Sequence, residues 1–253
     1  MQAEIIENKA LGRGNRWLKL QFKPGAALDH EPGSVVGLSV KHEQGLLRHA
    51  YTVSRADAQA RTLEFLYRVI PEGRMTPHLA GLQPGAEVLM AGRGGHPIRG
   101  EVATGPAGIV LVSTGTGIGP LYGFSQRALA AGATLPIQLF AGFREQEDSC
   151  LQDELSALAA AHPNFSWRFS LSRPGPAWKG LRGRVTETMP ALLGPVRNLH
   201  FHLVGNGGMV VELYNALTSL GLADERVTSE VYFNFPDEVD GATVDAIAAR
   251  FTL

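Results

Sequence analysis

Glycines, hydroxyls and arginines gather at several points where a chain could hold a phosphorylated ligand. Thr114-Gly115-Thr116-Gly117-Ile118-Gly119-Pro120 follows the solid apolar run Ile109-Val110-Leu111-Val112 and precedes a helical pattern at 122–131. A Gly-rich turn between a buried strand and a helix lets the backbone approach a pyrophosphate and offers unpaired N–H groups. The spacing is G-x-G-x-G-P and not the G-x-G-x-x-G dinucleotide fingerprint, so a turn that merely packs closely is the competing reading. No acidic residue ends the next strand to read a ribose hydroxyl; Gly142-Phe143-Arg144 stands there instead. Ser172-Arg173 ends a third strand, and Arg182 and Arg184 follow a Pro/Gly-rich loop. Arginine suits bidentate phosphate recognition, so this cluster is a candidate for the 2′-phosphate of NADP, with solvated loop charges as the alternative. Val204-Gly205-Asn206-Gly207-Gly208-Met209 ends a fourth strand at the same sheet edge, and Glu230-Val231-Tyr232-Phe233 completes a fifth, pairing a carboxylate with aromatic rings. Nearer the N-terminus, Arg48-His49-Ala50-Tyr51-Thr52-Val53-Ser54 and Glu72-Gly73-Arg74-Met75-Thr76 sit at strand ends and suit an aromatic ring with a phosphate tail.

Two kinds of periodicity must position these groups. Up to about residue 100 the apolar residues come as short alternating or solid runs, such as Trp17-Leu18-Lys19-Leu20-Gln21-Phe22, broken by Pro-Gly turns at 24–25, 32–33 and 84–85. That pattern predicts an antiparallel barrel of about six strands. After Gly105-Pro106, buried strands alternate with helical stretches, predicting a doubly wound parallel sheet of five strands. The chain therefore divides into residues 1–102, residues 103–233 and a C-terminal extension, 234–253. The 253 residues are 44% hydrophobic and 19% charged, enough apolar surface for packed interiors. A net charge of -1 gives no footprint for nucleic acid, and the apolar runs are strand-sized, so no membrane span is expected. The start, with Glu4 and Glu7, lacks the basic and apolar regions of a signal peptide, which predicts a cytoplasmic protein. Cys150 is the single cysteine, so neither a disulfide nor a four-thiolate iron–sulfur cluster can form within the chain. The histidines have no metal-ligand spacing, and no metal is assigned.

In this order the motifs resemble the ferredoxin–NADP reductase family over nearly the whole chain to Phe233. The resemblance implies an FAD-binding barrel followed by an NADP-binding domain. Tyr51 and Thr52 match the family's R-x-Y-[ST] motif, with the Tyr against the flavin ring and the hydroxyl near its N5. Two residues before Tyr51 stands His49, with Arg48 displaced by one; either a short bulge returns Arg48 to the phosphates or His49 replaces it. Gly73-Arg74-Met75-Thr76 matches the G-[KR]-x-[ST] loop at the FAD pyrophosphate, and Val69 is counted with the cofactor contacts. Thr114, Gly115, Thr116 and Gly117 match the NADP loop; Ser172, Arg173 and Arg184, with Arg144, fall to the 2′-phosphate side; Asn206, Gly207 and Met209 belong to a C-G-x-x-x-M motif whose cysteine is here Val204. Glu230 and Tyr232 match an ending in which the aromatic covers the second flavin face, with Phe233 beside it.

The implied chemistry is a relay from NADPH through bound FAD to a one-electron carrier, ferredoxin or flavodoxin, bound transiently by a monomer or weak dimer. Thr52, Glu230 and Tyr232 are the implied catalytic residues. A free-flavin reductase, the reductase component of an oxygenase system and a non-catalytic nucleotide-binding module are the alternatives. About twenty residues follow Tyr232, and Val244, Ile247, Ala248 and Phe251 form one apolar stripe of a short helix after a turn at 236–238. That helix is expected to dock on the body, and the tail, led out past the FAD by Phe233 and Phe235, to partly cover the FAD.

Overall fold

The computed structural model describes residues 1–25, 28–95, 97–98, 105–236 and 239–253, so the expected domain boundary at 102/103 lies outside the described residues. The first half forms an antiparallel sheet from β1 (Gln2–Ala10), β2 (Asn15–Phe22), β3 (Val35–His42), β4 (Gly45–Thr52), β5 (Arg55–Asp57), β6 (Thr62–Arg68) and β7 (Glu87–Gly94). Among the described residues the spatial order is β4-β3-β7-β1-β2-β6-β5, and the sheet curls so that Tyr51 of β4 meets Phe65 and Tyr67 of β6 edge-on. There are seven strands against the six expected, because three residues after the turn at Val53-Ser54 pair with β6 as β5. Alternation explains what the interior receives. Leu18, Leu20 and Phe22 point into the barrel core, whereas Trp17 projects from the opposite face and joins the core of the second domain. Strand β6 is a solid run because both its faces are covered: Leu63, Phe65 and Tyr67 fill the barrel, and Leu66 packs against the second domain. A short helix, α1 (Met75–Gly81), connects β6 to β7.

The second half alternates β8 (Gly108–Thr114), α2 (Ile118–Ala130), β9 (Ile137–Phe143), α3 (Gln152–Ala161), β10 (Phe165–Leu171), β11 (Leu181–Arg182), α4 (Val185–Thr188), β12 (Leu199–Asn206), α5 (Gly207–Ser219) and β13 (Val227–Phe233). All pairings are parallel, in the order β11-β10-β9-β8-β12-β13, so a two-residue edge strand joins the five expected. Helix α4 is a single turn followed by a 3-10 turn, Pro190–Leu192, because a proline cannot donate the backbone bond that would continue the helix. Successive strands run outward from β8 to β10, then the chain returns to place β12 on the other side of β8. In open parallel sheets ligands bind where the strand order reverses, which here is at the carboxyl ends of β8 and β12.

One face of this sheet carries α2 and α3 and meets Trp17 and Leu66 of the barrel; the other carries α4 and α5. The tail forms α6 (Gly241–Ala248), started by Asp240, whose carboxylate accepts from the Ala242 and Thr243 amides. Ile247, Ala248 and Phe251 are buried in the α5 side of the core, Phe251 meets Phe201 edge-on, and the Val196 amide donates to the Thr252 carbonyl. The helix therefore docks, but on the sheet face opposite the barrel. The expectation that it covers the FAD is corrected accordingly: the apolar stripe finds a larger apolar partner in α5. Phe251→Ala is expected to destabilise the fold by about 3 kcal/mol through the cavity it leaves, without loosening a bound flavin. Thermal unfolding with flavin fluorescence checks this, and flavin release at unchanged stability would contradict it. Among the described residues no helix is long and apolar enough to cross a membrane.

Candidate active site

The two domains meet along a seam of glycines. Gly119 and Gly123 lie one turn apart on α2, against the end of the Tyr51-Thr52 strand. A Cβ on Gly119 would come within 2.5 Å of Ser54 Oγ and 2.7 Å of Leu66 Cβ, and one on Gly123 within 1.7 Å of the Ser54 carbonyl oxygen. A second contact comes from the β1–β2 hairpin. Arg13 N donates to the Glu147 carbonyl at 2.7 Å, Asn15 Nδ2 donates to the Asp148 carbonyl at 2.8 Å, and the buried Asp148 carboxylate takes ion pairs from Arg13 at 3.0 Å and Arg68 at 3.6 Å. These contacts fix β4 relative to the parallel sheet.

As a result Thr52 and Glu230, 178 positions apart in sequence, face each other across the junction: Thr52 Oγ1 donates to Glu230 Oε1 at 2.7 Å. Burial holds the Glu230 carboxyl above its ordinary range, opposed by the Thr52 bond. Tyr232 lies in the same cluster, its hydroxyl pushed well up by burial and by the Glu230 carboxylate. On the other side of Thr52, the Tyr51 ring is buried, and its hydroxyl has no hydrogen-bond partner among the described residues. A buried tyrosine hydroxyl without a partner, next in the strand to a threonine that meets a junction carboxyl, fits a flavin, which brings both ring area and polar edge atoms.

The register of β3 with β4 runs without a shift from Val35/Thr52 to His42/Gly45, so the bulge needed to return Arg48 to Tyr51's side of the strand is absent. Arg48 shares a strand face with Thr52, and its Nε donates to Ser39 Oγ at 3.0 Å; His49 is on the Tyr51 face and exposed. Arg74 precedes α1 and reaches Gln44 Oε1 at 2.7 Å; Thr76 Oγ1 accepts from the Ile70 amide at 2.8 Å; Met75 is buried in the barrel core. Gly73 closes the turn to Ile70, and Val69 donates to the Gly14 carbonyl.

In the second domain the glycines of one loop do different work. Gly115 takes the left-handed conformation (φ 56°) with open space above it, and Thr114, Gly115 and Thr116 are partly exposed. Gly117 is pressed against β12, where a Cβ would lie 2.4 Å from the Val204 carbonyl oxygen. Asn206 donates its amide to Thr114 Oγ1 at 2.8 Å and caps α5 by accepting from Gly208. A Cβ on Gly207 would meet the Asn234 carbonyl at 2.3 Å, so the chain just past β13, and not α6, crosses the start of α5. Met209 is buried, whereas Phe233 is exposed. Arg144, Ser172 and Arg173 are exposed together at the ends of β9 and β10, the Arg173 amide bonding to the Arg144 carbonyl. Arg184 lies nearby but is ion-paired to Glu212 of α5 at 2.7 Å.

Sequence reasoning missed Ser54, Gly119 and Gly123 as the seam, and the Arg13–Asp148 contact. The small residues four apart on α2 were a signal; the hairpin carried none.

Comparison with known proteins agrees with this geometry. Residues 2–97 match the oxidoreductase FAD-binding domain and residues 111–213 the oxidoreductase NAD-binding domain. The chain is 30% identical over 191 residues to ferredoxin–NADP reductase B of Sorangium cellulosum, covering 76% of this chain and 78% of that protein. It is 27% identical over 218 residues to the ferredoxin–NAD(P)+ reductase component of the Pseudomonas putida naphthalene 1,2-dioxygenase system, covering 85% of this chain but 64% of that one. The fold matches a crystal structure of a Neisseria gonorrhoeae ferredoxin–NADP+ reductase with bound FAD and NADP at a TM-score of 0.79, 21% identity, and coverage of 92% and 98%. With an FAD-binding barrel and an NAD-binding sheet joined at a Thr–Glu–Tyr junction, the chain belongs to the ferredoxin–NADP reductase family of flavin oxidoreductases.

Proposed function

We propose that the chain carries electrons from NADPH through bound FAD to a one-electron carrier outside these residues, a ferredoxin or flavodoxin, as a cytoplasmic monomer or weak dimer. The observation that carries this reading is the Thr52–Glu230 hydrogen bond across the domain junction. When bound, FAD supplies a hydride acceptor at N5 and releases electrons singly. Thr52 presents its hydroxyl to the flavin edge. Tyr51 and Tyr232 would hold the flavin ring between them, and Tyr232 would yield its place to the nicotinamide. The Glu230 carboxyl, held above its ordinary range by burial and hydrogen-bonded to Thr52 Oγ1, would exchange a proton through that hydroxyl. His49, Arg74 and the backbone at Gly73, with Met75, Thr76 and Val69 shaping the loop, receive the FAD phosphates. The open Thr114–Thr116 turn, Gly117 and the Asn206–Gly207 start of α5, backed by Met209, receive the coenzyme pyrophosphate and nicotinamide side, with Phe233 at the rim. Ser172, Arg173 and Arg144 offer positive charge to the 2′-phosphate, and Arg48, held by Ser39, stands off the phosphate path. The sole cysteine is buried with its thiol pushed up to about 12, consistent with no thiolate role.

The purified protein is expected to be yellow and to release FAD on denaturation; a colourless preparation that reduces added flavin would favour a free-flavin reductase. Arg173→Ala should raise the NADPH KM about tenfold to a hundredfold, the worth of a charge-assisted contact, while moving the NADH KM little. Equal losses with both coenzymes would remove Arg173 from the phosphate site. Likeness to the Pseudomonas protein supports a second reading, in which the carrier feeds an oxygenase; turnover with a ferredoxin against a flavodoxin separates the carriers.

A further inference from the structure

Arg184 is surrounded by acid. Its guanidinium Nη2 lies 2.7 Å from Glu212 Oε2, with the arginine side chain 44% exposed and the glutamate 15%. Its amide donates to Glu187 Oε2 at 3.0 Å, and the Glu187 carbonyl is held by Arg250, just past α6, at 3.2 Å. The arginine sits beside the Ser172–Arg173 pair, because β11 pairs with β10 through Leu171/Arg182 and the Gly183 amide donates to the Leu171 carbonyl. By contrast, among the described residues the Arg144 and Arg173 side chains have no ion pair. The Arg184 guanidinium is thus already claimed by the Glu212 carboxylate, with Glu187 on its amide, when a phosphate carrying roughly -1.5 to -2 at neutral pH approaches. For Arg184 to reach that phosphate, Glu212 must lose its partner in a place where it is poorly solvated, or remain paired and repel the incoming anion. An ion pair of this exposure adds little to stability, so its main consequence falls on the ligand.

We propose that Glu212 is a specificity-determining residue: by holding Arg184 it withholds one of three neighbouring arginines, Arg144, Arg173 and Arg184, from the 2′-phosphate, which narrows the preference for NADPH over NADH. The proposal rests on the coenzyme reading above. Coenzyme discrimination then comes from Arg173 with Arg144, and Arg184 is a reserve released when the Glu212 charge is removed.

The test is titration calorimetry of the holoenzyme with adenosine 2′,5′-bisphosphate and with AMP, alongside the ratio of NADPH to NADH KM. Glu212→Gln is expected to strengthen the bisphosphate about tenfold relative to AMP and to shift the KM ratio toward NADPH by a similar factor. Adding Arg184→Ala to Glu212→Gln should erase the gain, because the released cation is then missing. If Glu212→Gln changes the two ligands equally, or neither, while Arg173→Ala still lowers the bisphosphate-to-AMP ratio, Glu212 is not the determinant and the coenzyme reading stands. If Arg173→Ala and Arg184→Ala both leave that ratio untouched, the coenzyme reading itself fails and the proposal with it. Thermal unfolding of each variant, compared with the parent chain, identifies any change caused by misfolding.

Discussion

Thr52→Val should slow flavin reduction by NADPH about a hundredfold while the flavin stays bound, since it deletes a hydroxyl at the reacting edge and keeps the volume. Stopped-flow bleaching of the flavin reads the step directly, and an unchanged rate would remove Thr52 from the chemistry. Glu230→Gln tests the other half of the pair. Burial raises the Glu230 carboxyl, so the folded chain binds this proton more tightly than the unfolded chain does. Its contribution to stability is present below the ordinary glutamate range and is lost as pH rises through the raised value. If the protonated carboxyl serves turnover, activity falls over that same rise, and the glutamine variant, which cannot ionise, shows a flat profile at a lower rate. A profile unchanged by the substitution would assign the pH dependence elsewhere.

Gly123→Ala should produce the largest loss of stability of any single methyl addition on α2. The new carbon would stand 1.7 Å from a backbone oxygen, and reaching even 3.0 Å requires the Ser54 strand end to retreat by about 1.3 Å. No flexible side chain is available to absorb that shift. A cost of about 3 kcal/mol follows from overpacking, or a fall in Tm of about 6–12 °C for a chain of this length. Because Ser54 is two residues from Thr52, the same shift pulls Thr52 away from Glu230, and weaker flavin retention should accompany the lower Tm. Gly194→Ala, with nothing within 4 Å of the added carbon, is the control and should melt near the parent temperature. Equal melting of the two variants would mean that the domains are not pressed together at α2.

The fold was legible because its two halves obey different periods: Leu18, Leu20 and Phe22 alternate, whereas Ile109 to Val112 form a buried run before a Gly-rich turn. The junction triad was legible only through motif order, since no local pattern links Thr52 to Glu230. What escaped was division of labour within a single residue type. Gly115 serves a turn, Gly117 a strand contact, and Gly119 and Gly123 the domain seam, yet all four are the same letter in one short segment. Partnership over long separations was equally hidden. Arg184 looked like a free cation because Glu212 lies 28 residues on, and the stripe on α6 announced burial without saying against what.

The seam also decides how this protein can be recombined. An exchange of coenzyme domains between relatives would normally be cut at the covalent joint, near residues 101–104. Here surfaces that register the two halves are far from that joint in the sequence: Gly12 and Arg13 fit around the backbone of Glu147 and Ser149, and Ser54 fits the bare face of α2. A chimera cut only at the joint inherits a foreign α2 and a foreign 145–149 loop against this barrel, and a single side chain at position 119 or 123 would hold the halves apart. Grafts that carry the hairpin tip and the Ser54 corner along with the incoming domain avoid that mismatch, which makes the compatible exchange unit larger than the domain itself.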